Sequence, residues 1–163
     1  MYKYLLSIFL YLSAFEVSAQ INLEVTGRWD FTIPVLDLLE AGNDFPNSYQ
    51  SLQNQLHLSV GKSDLVILDD YQWQVTAHYS GEDWPEEISL QIRRTGQGVG
   101  LDLSEDSLIG GEEFLRLTSV PQVFMEGKND KVLIPLQYEI LNVSVKVPAK
   151  TYRTSVMYTI TEL

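Results

Sequence analysis

The sequence predicts an all-β protein, a single antiparallel β-sandwich of about eight or nine strands. Three observations carry this. Almost every periodic stretch after the first nineteen residues has period two. Val, Ile, Thr, Tyr, Phe and Trp dominate those stretches, as a half-buried pleated surface requires. Gly-, Asn- and Asp-containing turn signals punctuate them at short intervals.

Residues 1–19 read as an export segment. Lys3 supplies a positive start, Tyr4 to Phe15 form an apolar stretch with interspersed Tyr and Ser, and Val17-Ser18-Ala19 place small residues before Gln20. The twelve-residue run is short for a bilayer-spanning helix. The expected mature chain is Gln20–Leu163, 163 − 19 = 144 residues, enough for one domain with its own core. No second apolar run follows, so no membrane span is expected in it. The expected location is the periplasm, the outer cell surface or the extracellular medium.

The first element is "INLEVTGRWDFTI", Ile21 to Ile33, with apolar residues or Gly at odd positions and polar ones at even positions. Fully extended, it spans about 40 Å at roughly 3.3 Å per residue. It serves either as the first strand of its own sandwich, with Gly27 as a kink or bulge, or as an arm pairing with a neighbouring subunit. Val35–Glu40 has room for one helical turn. Short strands are expected at Gln55–Val60 and Leu65–Leu68. Tyr71, Trp73, Val75, Ala77 and Tyr79 share one face of the next strand, and Ile88, Leu90 and Ile92 one face of another. Phe114–Ser119 and Val143–Val147 are further short candidates. Val132, Ile134, Leu136, Tyr138 and Ile140 line a long strand, and Tyr152 to Ile160 form the last. Turns are expected at Gly42–Asp44, Gly61–Ser63, Gly81–Asp83, Gly96–Gly98, Gly110-Gly111 and Gly127–Asp130.

Composition narrows the function. The net charge of −11 is poorly matched to nucleic acid or an anionic membrane surface. The chain has no cysteine, so a disulfide scaffold is excluded, and an exported chain without cysteine fits a bacterial envelope protein.

Catalytic patterns are sparse. His57 and His78 occupy polar-phase strand positions, which reads as exposed strand surface; a metal pair with Asp69 or Asp70 is the functional alternative. The acidic doublets Asp69-Asp70, Glu86-Glu87 and Glu112-Glu113 lie beside turns. Asp102-Leu103-Ser104-Glu105-Asp106 offers hard oxygen ligands to calcium but lacks the spacing of a known calcium loop. Gly96–Gly100, "GQGVG", precedes no helix that would seat a phosphate. No nucleophile–base grouping, P-loop or dinucleotide fingerprint occurs, so the expectation is a protein with no catalytic residues and no required cofactor or metal. Trp73 is in phase with the core. Trp84, between Asp83 and Pro85, is the one large aromatic in a loop, either a plug over the sandwich end or a contact for a glycan.

The C-terminal stretch "VPAKTYRTSVMYTITEL", Val147 to Leu163, resembles the end of chaperone–usher pilins and spore-coat-type β-sandwich domains, which close on a Pro-Ala strand with alternating apolar residues. Lys150 stands where that family has Gly, and the family's common disulfide is absent. The resemblance implies an immunoglobulin-like, pilin-like sandwich completed by an N-terminal arm donated from the next subunit. In that arrangement Ile21, Leu23, Val25, Gly27 and Trp29 would be the arm's exchange residues. It also implies other subunits or a periplasmic chaperone as strand-pairing partners. A second resemblance covers Tyr71–Gly98 and Gln122–Ile160. Its marks are the Trp73-x-Val75 strand, the Arg94-Thr95 turn, "FMEGKND" and the terminal Tyr152-x-Thr154-x-Val156-x-Tyr158 strand. It is similar to uncharacterised secreted proteins of Bacteroidota, which implies a surface location and no known activity. The expectation is therefore a secreted, non-enzymatic structural or adhesive surface subunit assembling by strand exchange. The alternative is a monomeric carbohydrate-binding module using Trp84.

Overall fold

A computed structural model describes residues 20–34, 37, 44–62, 70–81, 84–100 and 107–163. The first nineteen residues, Leu65–Leu68, Asp69 and Asp102–Asp106 lie outside the described residues, as does Val35–Glu40 apart from Asp37. Among the described residues there are eleven strands. They are β1 (Ile21–Gly27), β2 (Ser48–Gln50), β3 (Leu56–Lys62), β4 (Gln72–Ser80), β5 (Ser89–Arg94) and β6 (Val99–Gly100). Then follow β7 (Ser107–Gly110), β8 (Leu115–Arg116), β9 (Gln122–Lys128), β10 (Lys131–Leu141) and β11 (Ser155–Glu162). Eight have four residues or more; β2, β6 and β8 are fragments of two or three.

The strands form two antiparallel sheets. One runs β1-β3-β10-β5-β8, with β2 and β6 also pairing with β10; the other runs β11-β4-β9-β7. This is the expected all-β sandwich. Its core lies between the sheets: Leu56, Leu58 and Val60 of β3, Trp73, Val75 and Ala77 of β4, Leu90 and Ile92 of β5, and Ile134 and Leu136 of β10. Each set is one face of an alternating strand, so the period read in the sequence is the period of burial.

β9 turns into β10 through Asn129-Asp130 alone, which carries the chain from one sheet to the other. Asn129 adopts φ 59°, a left-handed conformation that Asn tolerates. It is buried, and its groups are used: its amide donates to the Tyr71 carbonyl and its carbonyl accepts the Trp73 indole N–H at 2.9 Å.

Several expected elements differ. The alternation of Ile21–Ile33 is a strand only as far as Gly27, where φ is +107° and a Cβ would lie 2.8 Å from the Gln55 carbonyl oxygen. Gly61 and Lys62 continue β3 rather than turning. Phe114–Ser119 shrinks to Leu115–Arg116. Val143–Val147 is a turn, not a strand. Asn142 has φ 63°, Val147 N–H donates to the Ser144 carbonyl, and Asp44 accepts from Ser144 Oγ at 2.7 Å and from Val145 N–H at 2.9 Å. The side-chain acceptor replaces a ladder partner, as Asp does in loops. Three donors, Ser144 first, then the Val145 and Phe45 amides, hold the Asp44 carboxyl below its ordinary pKa.

Candidate functional site

The residues expected in an exchange arm sit on β1, apart from Trp29. Residue by residue, β1 pairs with β3 of its own chain: Ile21 with Lys62, Leu23 with Val60, Val25 with Leu58, Gly27 with Leu56. Ile21, Leu23 and Val25 point into the sandwich and pack on its core, yet each is only partly buried, whereas Leu58 and Val60 beside them are fully buried. The difference has a topological cause. β1 is the outermost strand of its sheet, held on one side by β3, and no described strand lies beyond it.

Trp29 has left the strand. After the Gly27 turn its ring stacks on Tyr138 at 6.1 Å and 4°, and Phe31 bridges it to Tyr49. Gln55 Nε2 donates to the Arg28 carbonyl at 2.6 Å and holds the exit of β1. Trp29 therefore anchors the end of the arm to the core rather than extending its ladder.

β11 repeats the arrangement in the other sheet. Val156, Tyr158 and Ile160 face inward and are partly buried; Ser155, Met157, Thr159 and Thr161 face outward. β11 pairs with β4 over its whole length and is the edge of its sheet. β1 and β11 border the same side of the sandwich without pairing with each other. Between the sheets, the Tyr138 and Tyr158 hydroxyls meet at 2.7 Å. Burial pushes the Tyr138 phenol up to about 12; burial and the neighbouring Tyr138 push Tyr158 upward too. Neither edge carries a Pro or a bulge, and Lys is absent from both, although these are the usual protections of an exposed edge. What this seam can do chemically is offer two rows of backbone donors and acceptors to an added strand.

Trp84 stands apart. Its indole N–H donates to the Ile88 carbonyl at 2.9 Å and its ring packs against the core, the geometry of a plug. His57 lies on β3 and His78 on β4, in opposite sheets, so they are not brought together. Asp70 is engaged by Lys128 and Asn129, and the Lys128 ammonium, 2.7 Å away, holds its carboxyl below the ordinary range. Among the described residues no three His, Asp or Glu side chains cluster as a metal site would need.

Two cations are buried among the described residues, Lys131 and Arg94, and the second lies beside a cleft. Arg94 follows Ile88, Leu90 and Ile92 in phase and is 3% exposed. Its guanidinium donates to the carbonyls of Gly110 at 2.5 Å and Gly96 at 3.3 Å and pairs with Glu112 at 2.5 Å. It lies beneath a cleft of about 370 Å³ lined by Gln53, residues 93–97 and Glu112. Its donors are engaged by backbone and by Glu112, so it ties β5 to the end of β7. The signal was in the strand phase: continued by one step, the alternation points Arg94 inward.

Compared with known proteins, the chain matches no protein-family model, no curated protein and no solved structure. Among the described residues no helix is long and apolar enough to cross a membrane.

Proposed function

We propose that the protein is an exported, non-enzymatic structural or adhesive surface subunit that assembles by exchanging β1 between copies. One observation carries this reading: β1 is a regular seven-residue strand held by a single described neighbour, with its core-facing side chains only partly buried. Gly27, in a conformation that L side chains rarely adopt, then ends the strand at a point where it can hinge. The alternation of Ile21, Leu23 and Val25 supplies register, since a slip of one residue would turn every apolar side chain to solvent. Main-chain hydrogen bonds supply affinity that any copy of β3 can accept. Export rests on the character of residues 1–19. A chaperone offering a temporary strand is the natural partner before assembly.

Glu24 and Ser59 are direct cross-strand partners, and the chain has no native cysteine. A Glu24→Cys chain refolded at high concentration with a Ser59→Cys chain should form an interchain disulfide, because β1 of one copy lies on β3 of the other. If the double variant closes readily within one chain while the two single variants never cross-link to each other, β1 does not exchange and the reading fails.

A further inference from the structure

We infer that β11 is a second assembly edge, and that its occupant is β11 of another copy in a two-fold, antiparallel pairing. This goes beyond β1 exchange and uses the opposite sheet. Among the described residues no strand lies beyond β11, and its eight residues form a regular ladder with β4 from Ser155 to Glu162. The outer row of backbone groups is therefore aligned for another strand.

The side chains select the partner. Centred on Tyr158, an antiparallel pairing of β11 with itself sets Val156 opposite Ile160 and Tyr158 opposite Tyr158, all on the inward face. On the outward face Met157 meets Thr159 and Ser155 meets Thr161. Every inward residue finds an apolar or aromatic one, and no charge meets a like charge. Met157 is 48% exposed in the single chain and gains cover in the pair. Glu162, the last residue of β11, falls beyond the first residue of the second copy's strand and so meets no like charge in it. Within its own chain Glu162 is already matched by Lys62 at 3.3 Å. A chain of net charge −11 thus carries an electrically quiet strip along this edge, where two copies approach with least repulsion.

The edge of β1 lacks this property. Its fullest antiparallel register with itself is centred on Glu24 and sets the two Glu24 carboxylates opposite each other, a destabilising arrangement. Self-pairing therefore belongs to β11. A single strand pair is a small interface, below the roughly 1,200 Å² of standard-sized complexes, so the dimer is weak and concentration-dependent.

The register gives the test. Met157→Cys and Thr159→Cys are made as separate variants of the Gln20–Leu163 chain, which contains every described element. Mixed and oxidised, they should form a disulfide between chains, joining the thiol introduced at position 157 of one copy to that at position 159 of the other, because directly opposite residues lie within disulfide reach. Each variant alone places its cysteine diagonally from its own copy and should cross-link several-fold less. Equal yields in the mixed and single samples would overturn the register. A monomeric mass by light scattering at all concentrations, with no cross-link, would overturn the dimer. A third variant separates this from β1 exchange. Glu24→Cys/Ser59→Cys, closed within one chain, cannot donate β1 and should still dimerise. If that locked chain is strictly monomeric while the unlocked one associates, the association is β1 exchange and β11 has no part in it.

Discussion

At the scale of single residues, this sandwich depends on close approach at a few points. Gly127 on β9 lies under the Trp73 indole, and a Cβ there would sit 2.3 Å from Trp73 Cζ2. Trp73 is fully buried and its N–H is fixed on the Asn129 carbonyl, so the ring has no room to yield. Gly127→Ala should cost about 3 kcal/mol, the upper part of the range for overpacking a core. Urea unfolding followed by Trp fluorescence would measure it, and a loss within error of zero would show that the ring can move. The Tyr138–Tyr158 hydroxyl pair gives a second prediction. Both phenols have folded pKa values raised by burial, Tyr138 to about 12. A raised folded pKa means that the folded state holds the proton more tightly. Stability is then fully present below the unfolded value of about 10 and falls as pH rises towards 12. Alkaline unfolding followed by circular dichroism should begin above that unfolded value. Tyr158→Phe should cost about 1 kcal/mol at neutral pH by deleting the hydroxyl contact. It should also make the alkaline decline shallower; an unchanged slope would mean that these phenols do not govern it.

At the scale of elements, the legible strands are those in which alternation holds over several core residues, in β10 from Ile134 onward, past an irregularity between Lys131 and Ile134 where Leu133 has φ 55°. β4 and β10 were readable because Trp73, Val75 and Ala77, or Ile134, Leu136 and Tyr138, repeat every second residue and face a covered side. β9 was not readable. A register irregularity opposite Val75 and Thr76 leaves Val123 exposed and buries both Phe124 and Met125, which erases the period. β7 is four residues long and β2 three, too short for any period to show. The reverse error arose at Val143–Val147, where alternation is present but Asp44, about a hundred residues away in the chain, captures the backbone. The candidate site was half legible: the arm residues could be read from their phase, but their single sheet partner and the matching edge of β11 are facts of topology. That topology predicts an order of opening. β1, with one neighbour and partly buried side chains, should lose amide protection before β10, which pairs with strands on both sides. Hydrogen exchange that protects β1 as well as β10 would contradict it.

At the scale of the whole molecule, the chain separates a dense centre from a lightly covered seam. Its own −11 charge disfavours indiscriminate association, and β1 and β11, two of the sheet edges, carry one carboxylate each. The ends of the domain meet at one pole of that seam. Ile21 pairs with Lys62, Lys62 reaches Glu162, and Leu163 N–H donates to the Gln72 carbonyl. This placement sets how the domain bears tension. Pulled apart by its two ends, it meets the force one rung at a time: Ile21 parts from Lys62, then Asn22 from Gly61, like a zip opened from the tab. If β1 is seated instead in a neighbour and drawn along its axis, the same seven rungs share the load in shear. A strand that peels easily from its own subunit is then the one that holds when it bridges two.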